Sequence, residues 1–212
     1  MNPRTKICGV TLPDDAAHAA AAGADYLGLN FWPSSKRYLA AEHAPLVADA
    51  ARAAGVIQLV GVFVDARLDD IVAIAAAVSL DVIQLHGSES AADVAKVAAA
   101  TRRPVWKAIP VASYADVQRL ETWVTEAVLL DTPSAGRGGS GATFDWSLAR
   151  RARQAYPARR LVLAGGLDPT NVARAVAEVA PFAVDVASGV EAAPGIKDPA
   201  KVTAFIAAAR GL

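Results

Sequence analysis

The chain's single cysteine, Cys8, closes an apolar run in TKICG. A thiol acts as base or nucleophile only as thiolate, and a nearby cation favours that form. Lys6 stands two positions earlier, on the same face if the run is a strand. Lys6 is therefore expected to set the Cys8 thiol below its usual value. The plain alternative is a small buried hydrophobe, the common fate of a free cysteine. Asp131 ends another apolar run, AVLLDT, directly before a glycine-rich stretch. A carboxyl so placed is a candidate general acid or base. Its alternative is a turn or helix-capping aspartate, which is weakened because the next helix signal comes only at Asp145.

Two glycine-containing pairs follow later apolar runs: Gly165 and Gly166 in LVLAGGL, and Ser188 and Gly189 in DVASGVE. Glycine lets backbone N–H groups approach an anion closely. Tight turns need glycine too, so either pair alone says little. Arg37, in NFWPSSKRYL, carries a guanidinium that matches a carboxylate or phosphate through two parallel hydrogen bonds, or else is solvated. Gln84 and His86 share one face of IQLHG. That histidine either positions a substrate or bonds a neighbouring carboxylate. Asp185 is a charge within the apolar AVDVAS. A buried carboxylate needs a partner, so it is expected to face a polar mouth or a ligand hydroxyl.

These residues must be positioned by something, and the spacing of the apolar runs says what. Short β-branched runs fall at Thr5–Cys8, Tyr26–Phe31, Ile57–Val64, Asp81–Leu85, Val105–Ile109, Ala127–Asp131, Leu161–Ala164 and Val184–Ala187. Segments rich in Ala, Leu, Arg and Asp separate them and read as helices. Helix starts are signalled by Asp14, Ser90, Ser113, Asp145 and the Asp168-Pro169 pair. Eight strand–helix units of about 26 residues each predict a single (β/α)₈ barrel over residues 1–212, one catalytic domain. A doubly wound open sheet shows the same alternation, but the count of eight and the polar residues at nearly every strand end favour closure. In such barrels chemistry sits at the carboxyl ends of the strands, and loops after strands seven and eight commonly hold a phosphate. Cys8, Arg37, His86, Asp131, Asp185 and both glycine pairs all fall there. The segment Thr132–Thr143, with its core SAGRGGSG, predicts a mobile loop that closes over a substrate.

Composition excludes several classes. Lysine plus arginine balance aspartate plus glutamate at 21 each, so nothing draws the whole chain to nucleic acid or an anionic membrane. No run of 18 apolar residues appears, and the first residues lack a signal-peptide core. One cysteine permits no internal disulfide and fits a reducing compartment. A cytoplasmic protein is expected. His18, His43 and His86 are scattered without zinc-type spacing. No Walker or GxGxxG pattern stands in its expected context. Neither metal nor cofactor is expected.

Taken in order, KICG, FWPSSKR, QLHG, LLDT, GGSGATFDW, LAGGLDPTNV and DVASGVEAAPGIKD cover nearly the whole chain. This series resembles the phosphoribosylanthranilate isomerase family of tryptophan biosynthesis. AGGL is common to many phosphate-binding barrels, whereas KICG, QLHG and FDW together are far more specific. The resemblance implies an Amadori rearrangement without cofactor, turning N-(5-phosphoribosyl)anthranilate into 1-(2-carboxyphenylamino)-1-deoxyribulose 5-phosphate. It makes Cys8 the general base and Asp131 the general acid. Arg37 would hold the anthranilate carboxylate, and the backbone around Gly165, Gly166, Ser188 and Gly189 the phosphate. His86 and Asp185 would contact substrate. The acid must hold a proton and the thiol must lose one, opposite settings for one acid–base pair.

Two other readings remain at this point. A related aminoaldose isomerase of histidine biosynthesis, or an enzyme of both pathways, shares the fold and phosphate loops. Those enzymes carry an aspartate where this chain has Cys8, and a second phosphate site. A non-catalytic barrel that senses a phosphorylated metabolite would need neither Cys8 nor Asp131. The expected partner is a small phosphorylated molecule, and the expected state a monomer or homodimer.

Overall fold

The computed structural model describes residues 2–132 and 145–212. Eight parallel strands close into a barrel in chain order: β1 (Arg4–Cys8), β2 (Tyr26–Asn30), β3 (Gln58–Phe63), β4 (Val82–Leu85), β5 (Val105–Pro110), β6 (Ala127–Asp131), β7 (Leu161–Leu163) and β8 (Ala183–Val186). Strand β8 returns to β1, pairing Lys6 with Asp185 in register. The strand ends differ from the sequence reading by a residue or so, as fraying ends do.

Strand alternation sorts the side chains into two cores. Outward residues such as Ile7, Leu27, Leu59, Ile83 and Leu130 pack with the helices in one continuous apolar layer. Inward residues fill the barrel. Its lower part is apolar, with Tyr26, Val60, Val82, Trp106, Leu129 and Val162 clustered together. Tyr26 meets Trp106 edge to face at 4.8 Å between ring centres, a pairing worth about 0.5–1.5 kcal/mol beyond burial. Higher up, the inward positions turn polar: Lys6, Gln84 and Asp185, then Cys8, His86 and Asp131. The lower plug thus carries the packing and frees the upper end for chemistry.

Helices α1 (Pro13–Ala21), α2 (Ala44–Ala54), α3 (Leu68–Ala77), α4 (Ala91–Thr101), α5 (Tyr114–Gln118), α6 (Trp146–Ala155), α7 (Val172–Val179) and α8 (Pro199–Arg210) cover the barrel. Ser90 and Ser113 form capping boxes with Asp93 and Asp116, and Asp145 caps α6 through the Ser147 N–H. Helix α1 begins at Pro13 rather than Asp14, proline suiting a first helical turn because its missing N–H would be unpaired anyway. Helix α5 is short. The chain tightens into a 3₁₀ turn at Arg119–Thr122, where the Thr122 hydroxyl bonds the Arg119 carbonyl and competes with helix propagation. Helix α7 starts after the Asp168-Pro169 signal, because Asp168 Oδ1 instead accepts from the N–H groups of Thr170 and Asn171 in a turn.

One element was not foreseen. Between β8 and α8 the chain forms a small antiparallel pair, β9 (Glu191–Ala193) and β10 (Ile196–Lys197). It folds back over the β1 end of the barrel. Lys197 Nζ donates to the carbonyls of Cys8 at 2.7 Å and Ala187 at 3.2 Å, and the Lys197 N–H donates to Asp15 of α1.

Candidate active site

A cavity of about 910 Å³ opens at the carboxyl ends of the strands. Cys8, Arg37, His86, Asp131, Gly165, Gly166, Asp185 and Ser188 all line it. Eight of the nine sequence candidates therefore converge on one space. Gly189 does not form part of that wall. It packs beneath, where a Cβ would collide with the Leu167 carbonyl, so its role is to let the loops after β7 and β8 lie against each other.

Cys8 and Lys6 point inward, as the alternation requires. Gly28 of β2 makes the room: a Cβ there would lie 2.7 Å from Cys8 Sγ and 3.1 Å from Lys6 Nζ. Lys6 has no exposed surface, and its ammonium donates to Asp185 Oδ1 at 2.8 Å. Burial alone would favour the neutral amine, but Asp185, with help from Cys8, reverses this and holds Lys6 charged, well above the ordinary lysine range. Asp185 thus has Lys6 as its partner while still reaching the cavity wall, rather than relying on a ligand hydroxyl.

The thiol corrects an expectation. Cys8 is set above its usual value, not below it. Burial pushes it up, Asp185 adds to that, and Lys6 offsets only part. The main reason is burial, which disfavours the thiolate, and the Asp185 charge beside Lys6 cancels part of the positive field that would oppose it.

Arg37 is not solvated. Its Nε and Nη2 donate to Glu191 Oε1 and Oε2, both at 2.7 Å. Glu191 also accepts from Lys197 Nζ at 2.9 Å. Burial pushes the Glu191 carboxyl up, but Arg37 and Lys197 outweigh it and hold it below the usual carboxylate range. Lys197 is drawn below the ordinary lysine range, since burial outweighs Glu191 there. A guanidinium has five N–H groups and Glu191 takes two, so one full edge of Arg37 remains to face a second acceptor in the cavity. The chain Arg37–Glu191–Lys197–Cys8 carbonyl fixes that guanidinium relative to the thiol. Sequence reading gave Glu191 and Lys197 no individual role. The Pro-Gly within EAAPGIKD was the available signal for the turn that brings them there.

Asp131 lines the same cavity from the end of β6 and is only 7% exposed. Its Oδ1 accepts from the Thr132 N–H at 2.8 Å, and its Oδ2 lies 3.2 Å from His86 Nε2. His86 Nδ1 lies 3.1 Å from Gln84 Nε2. Of the two roles open to His86, bonding a carboxylate is the one seen. Its loop is tied down by Lys107, whose ammonium donates to the carbonyls of Leu85 and Gly87 and to Glu89. Beyond Thr132, the segment expected to close over the cavity lies outside the described residues.

After β7 the backbone passes through Gly165 and Gly166 at φ +83° and +66°, a left-handed conformation that other residues adopt only with strain. Asn171 Nδ2 donates to the Gly166 carbonyl at 2.9 Å and holds the loop. Ser188 starts the turn after β8 alongside it.

A closed ring of eight parallel strands, plugged below and polar above, whose cavity gathers a thiol, a carboxyl and two glycine-bearing loops, defines a (β/α)₈-barrel enzyme with its site at the carboxyl ends of the strands. Residues 5–208 match the sequence model of N-(5′-phosphoribosyl)anthranilate (PRA) isomerase. The chain belongs to the N-(5′-phosphoribosyl)anthranilate isomerase family. The isomerase of Geobacter sp. (strain M21) is 46% identical over 210 residues, covering 99% of this chain and 98% of that one. The crystal structure of phosphoribosyl anthranilate isomerase from Thermotoga maritima superposes with a TM-score of 0.88 at 42% identity, covering 99% of this chain and 100% of that one. A further isomerase structure, in complex with reduced 1-(o-carboxyphenylamino)-1-deoxyribulose 5-phosphate, gives a TM-score of 0.84 at 40% identity, with 99% and 100% covered.

Proposed function

We propose that Cys8 and Asp131, as base and acid, carry out the Amadori rearrangement of N-(5-phosphoribosyl)anthranilate to 1-(2-carboxyphenylamino)-1-deoxyribulose 5-phosphate in tryptophan biosynthesis. The observation that carries this reading is that both line one cavity, Cys8 from the end of β1 and Asp131 from the end of β6.

Asp131 gives its proton to the ring oxygen of the ribose. The C1′–O bond breaks toward that oxygen, and the nitrogen lone pair forms the C1′=N bond of a cationic Schiff base. That cation acidifies the C2′ proton, which the Cys8 thiolate removes to leave an enolamine. C1′ then gains a proton and the C2′ hydroxyl loses one, giving the ketone and restoring both side chains. The substrate is oxidised at C2′ and reduced at C1′, so no external oxidant or reductant is required. The raised thiol fits this order. Cys8 stays largely protonated in the free enzyme; on substrate binding its proton passes to bulk water, and the positive charge on the Schiff base then favours the thiolate that removes the C2′ proton. The unused edge of Arg37 holds the anthranilate carboxylate. Gly165, Gly166 and Ser188 hold the phosphate through their backbone, with Gly189 supporting them, while His86 and Asp185 orient Asp131 and Lys6 beside the substrate.

No helix among the described residues is long and apolar enough to cross a membrane. We take the enzyme to work in the cytoplasm, as a monomer or homodimer. A solved structure concerns mutually generated monomers of the dimeric isomerase of Thermotoga maritima. Adding freshly made phosphoribosylanthranilate to pure protein should give a rapid loss of its fluorescence. The histidine-pathway aminoaldose should not turn over. Turnover of that compound alone would replace the reading, and binding without fluorescence loss would make the barrel a sensor.

A further inference from the structure

Among the described residues His86 hydrogen-bonds two side chains, Asp131 and Gln84, and together they bear on where its proton sits. Asp131 Oδ2 lies 3.2 Å from His86 Nε2; where that oxygen accepts, as an oxygen of a carboxylate does and as Oδ2 of a carboxyl whose proton faces the cavity does, the neutral ring carries its proton on Nε2 and donates it. Nδ1 is then a bare lone pair and needs a donor. Gln84 supplies one, its amide N–H donating to Nδ1 across 3.1 Å. The amide oxygen of Gln84 is left buried with no partner among the described residues. Gln84 has no exposed surface at all. A fully buried amide that uses one donor and strands its acceptor is an expensive way to fill space. An apolar side chain would fill the same interior position without stranding an oxygen.

The opposite tautomer shows what this contact prevents. With its proton on Nδ1, His86 would turn a basic Nε2 lone pair toward Asp131. A lone pair there offers the carboxyl's proton a second acceptor in place of the ribose ring oxygen. With its proton on Nε2, the imidazole can only donate to Oδ2. It orients the carboxyl without competing for its proton, which is free to sit on the oxygen lone pair that faces the cavity.

We propose that Gln84 is a positioning residue for the isomerisation: its amide N–H holds His86 in the Nε2-protonated form, which keeps the proton of Asp131 available to the substrate. This rests on the reading of Asp131 as the acid, and its main readout does not depend on that reading.

The experiment uses the whole enzyme labelled with ¹⁵N-histidine at mildly alkaline pH. The His86 signals are assigned by their loss in His86→Asn. In the wild type, Nε2 should give a protonated-type signal and Nδ1 a bare one. Gln84→Met keeps the length and apolar packing but offers no donor. It should give a mixture of tautomers and lower kcat about tenfold, the size of one net hydrogen bond expressed as a rate, with KM unchanged. Gln84→Glu can only accept. It should draw the proton to Nδ1 and lower kcat further than Gln84→Met does, although glutamate is nearer to glutamine in shape. A wild-type ring protonated on Nδ1 would overturn the proposal. So would a Gln84→Met enzyme whose kcat falls while the ring proton stays on Nε2, since that is the mark of a packing role. If Asp131→Asn retains full turnover, the acid assignment fails, and the tautomer measurement still decides what Gln84 does to His86.

Discussion

The two walls of the cavity hold their reactive groups by different means. Around Cys8, charges are matched in pairs: Lys6 with Asp185, and both Arg37 and Lys197 with Glu191. Around Asp131 the described contacts are single hydrogen bonds, from the Thr132 N–H and to His86, with Gln84 behind. Paired buried ions fix geometry firmly, because breaking one leaves an uncompensated charge. They also cancel each other's field, so the cations nearby do not overcome the burial that raises the thiol. Lone hydrogen bonds hold a group more loosely but add little net charge, as suits the proton-donating role proposed for this carboxyl.

The comparison breaks first at the reactive groups. Cys8→Ala and Asp131→Asn should each lower kcat by roughly 10²–10⁴, the usual worth of one proton transfer, with unchanged far-ultraviolet circular dichroism. Near-normal turnover in either variant removes that wall from the mechanism. Next comes stability. Lys6→Met strands Asp185 in the barrel and should cost about 3–5 kcal/mol in urea unfolding, with part recovered by adding Asp185→Leu. Should Lys6→Met unfold at the wild-type midpoint, the ion pair does not organise the β1 wall.

Arg37→Ala should raise KM by roughly 10- to 100-fold through loss of a charge-assisted hydrogen bond, with a much smaller change in kcat. An unchanged KM for the carboxylated substrate removes Arg37 from binding. The smallest effect is on the chemistry of the free thiol. Cys8 is the chain's one cysteine, so alkylation by iodoacetamide reports it alone. A raised thiol means less thiolate at neutral pH, so alkylation should be slower than for a small free thiol. Its rate should climb with pH only above the ordinary thiol range. Fast alkylation at neutral pH would restore the view that Lys6 activates the sulfur directly.

Periodicity and strand-end residues were enough to reach the barrel, its eight strands and the clustering of Cys8, Arg37, His86, Asp131, Asp185 and the β7–β8 loops. Those features follow from local rules: alternation points Lys6 and Cys8 inward, and serine or aspartate caps mark where helices begin. Pairings between distant residues did not follow. Asp185 neutralises Lys6 across 179 positions, and Glu191 clamps Arg37 across 154. Only closure of β8 onto β1, and the unforeseen β9–β10 pair folding back over that seam, bring them together. Electrostatic settings depend on distance and burial in three dimensions, not on spacing along the chain. So the sequence by itself named the thiol, but the folded barrel decided that its neighbouring lysine was already neutralised and that its value would rise.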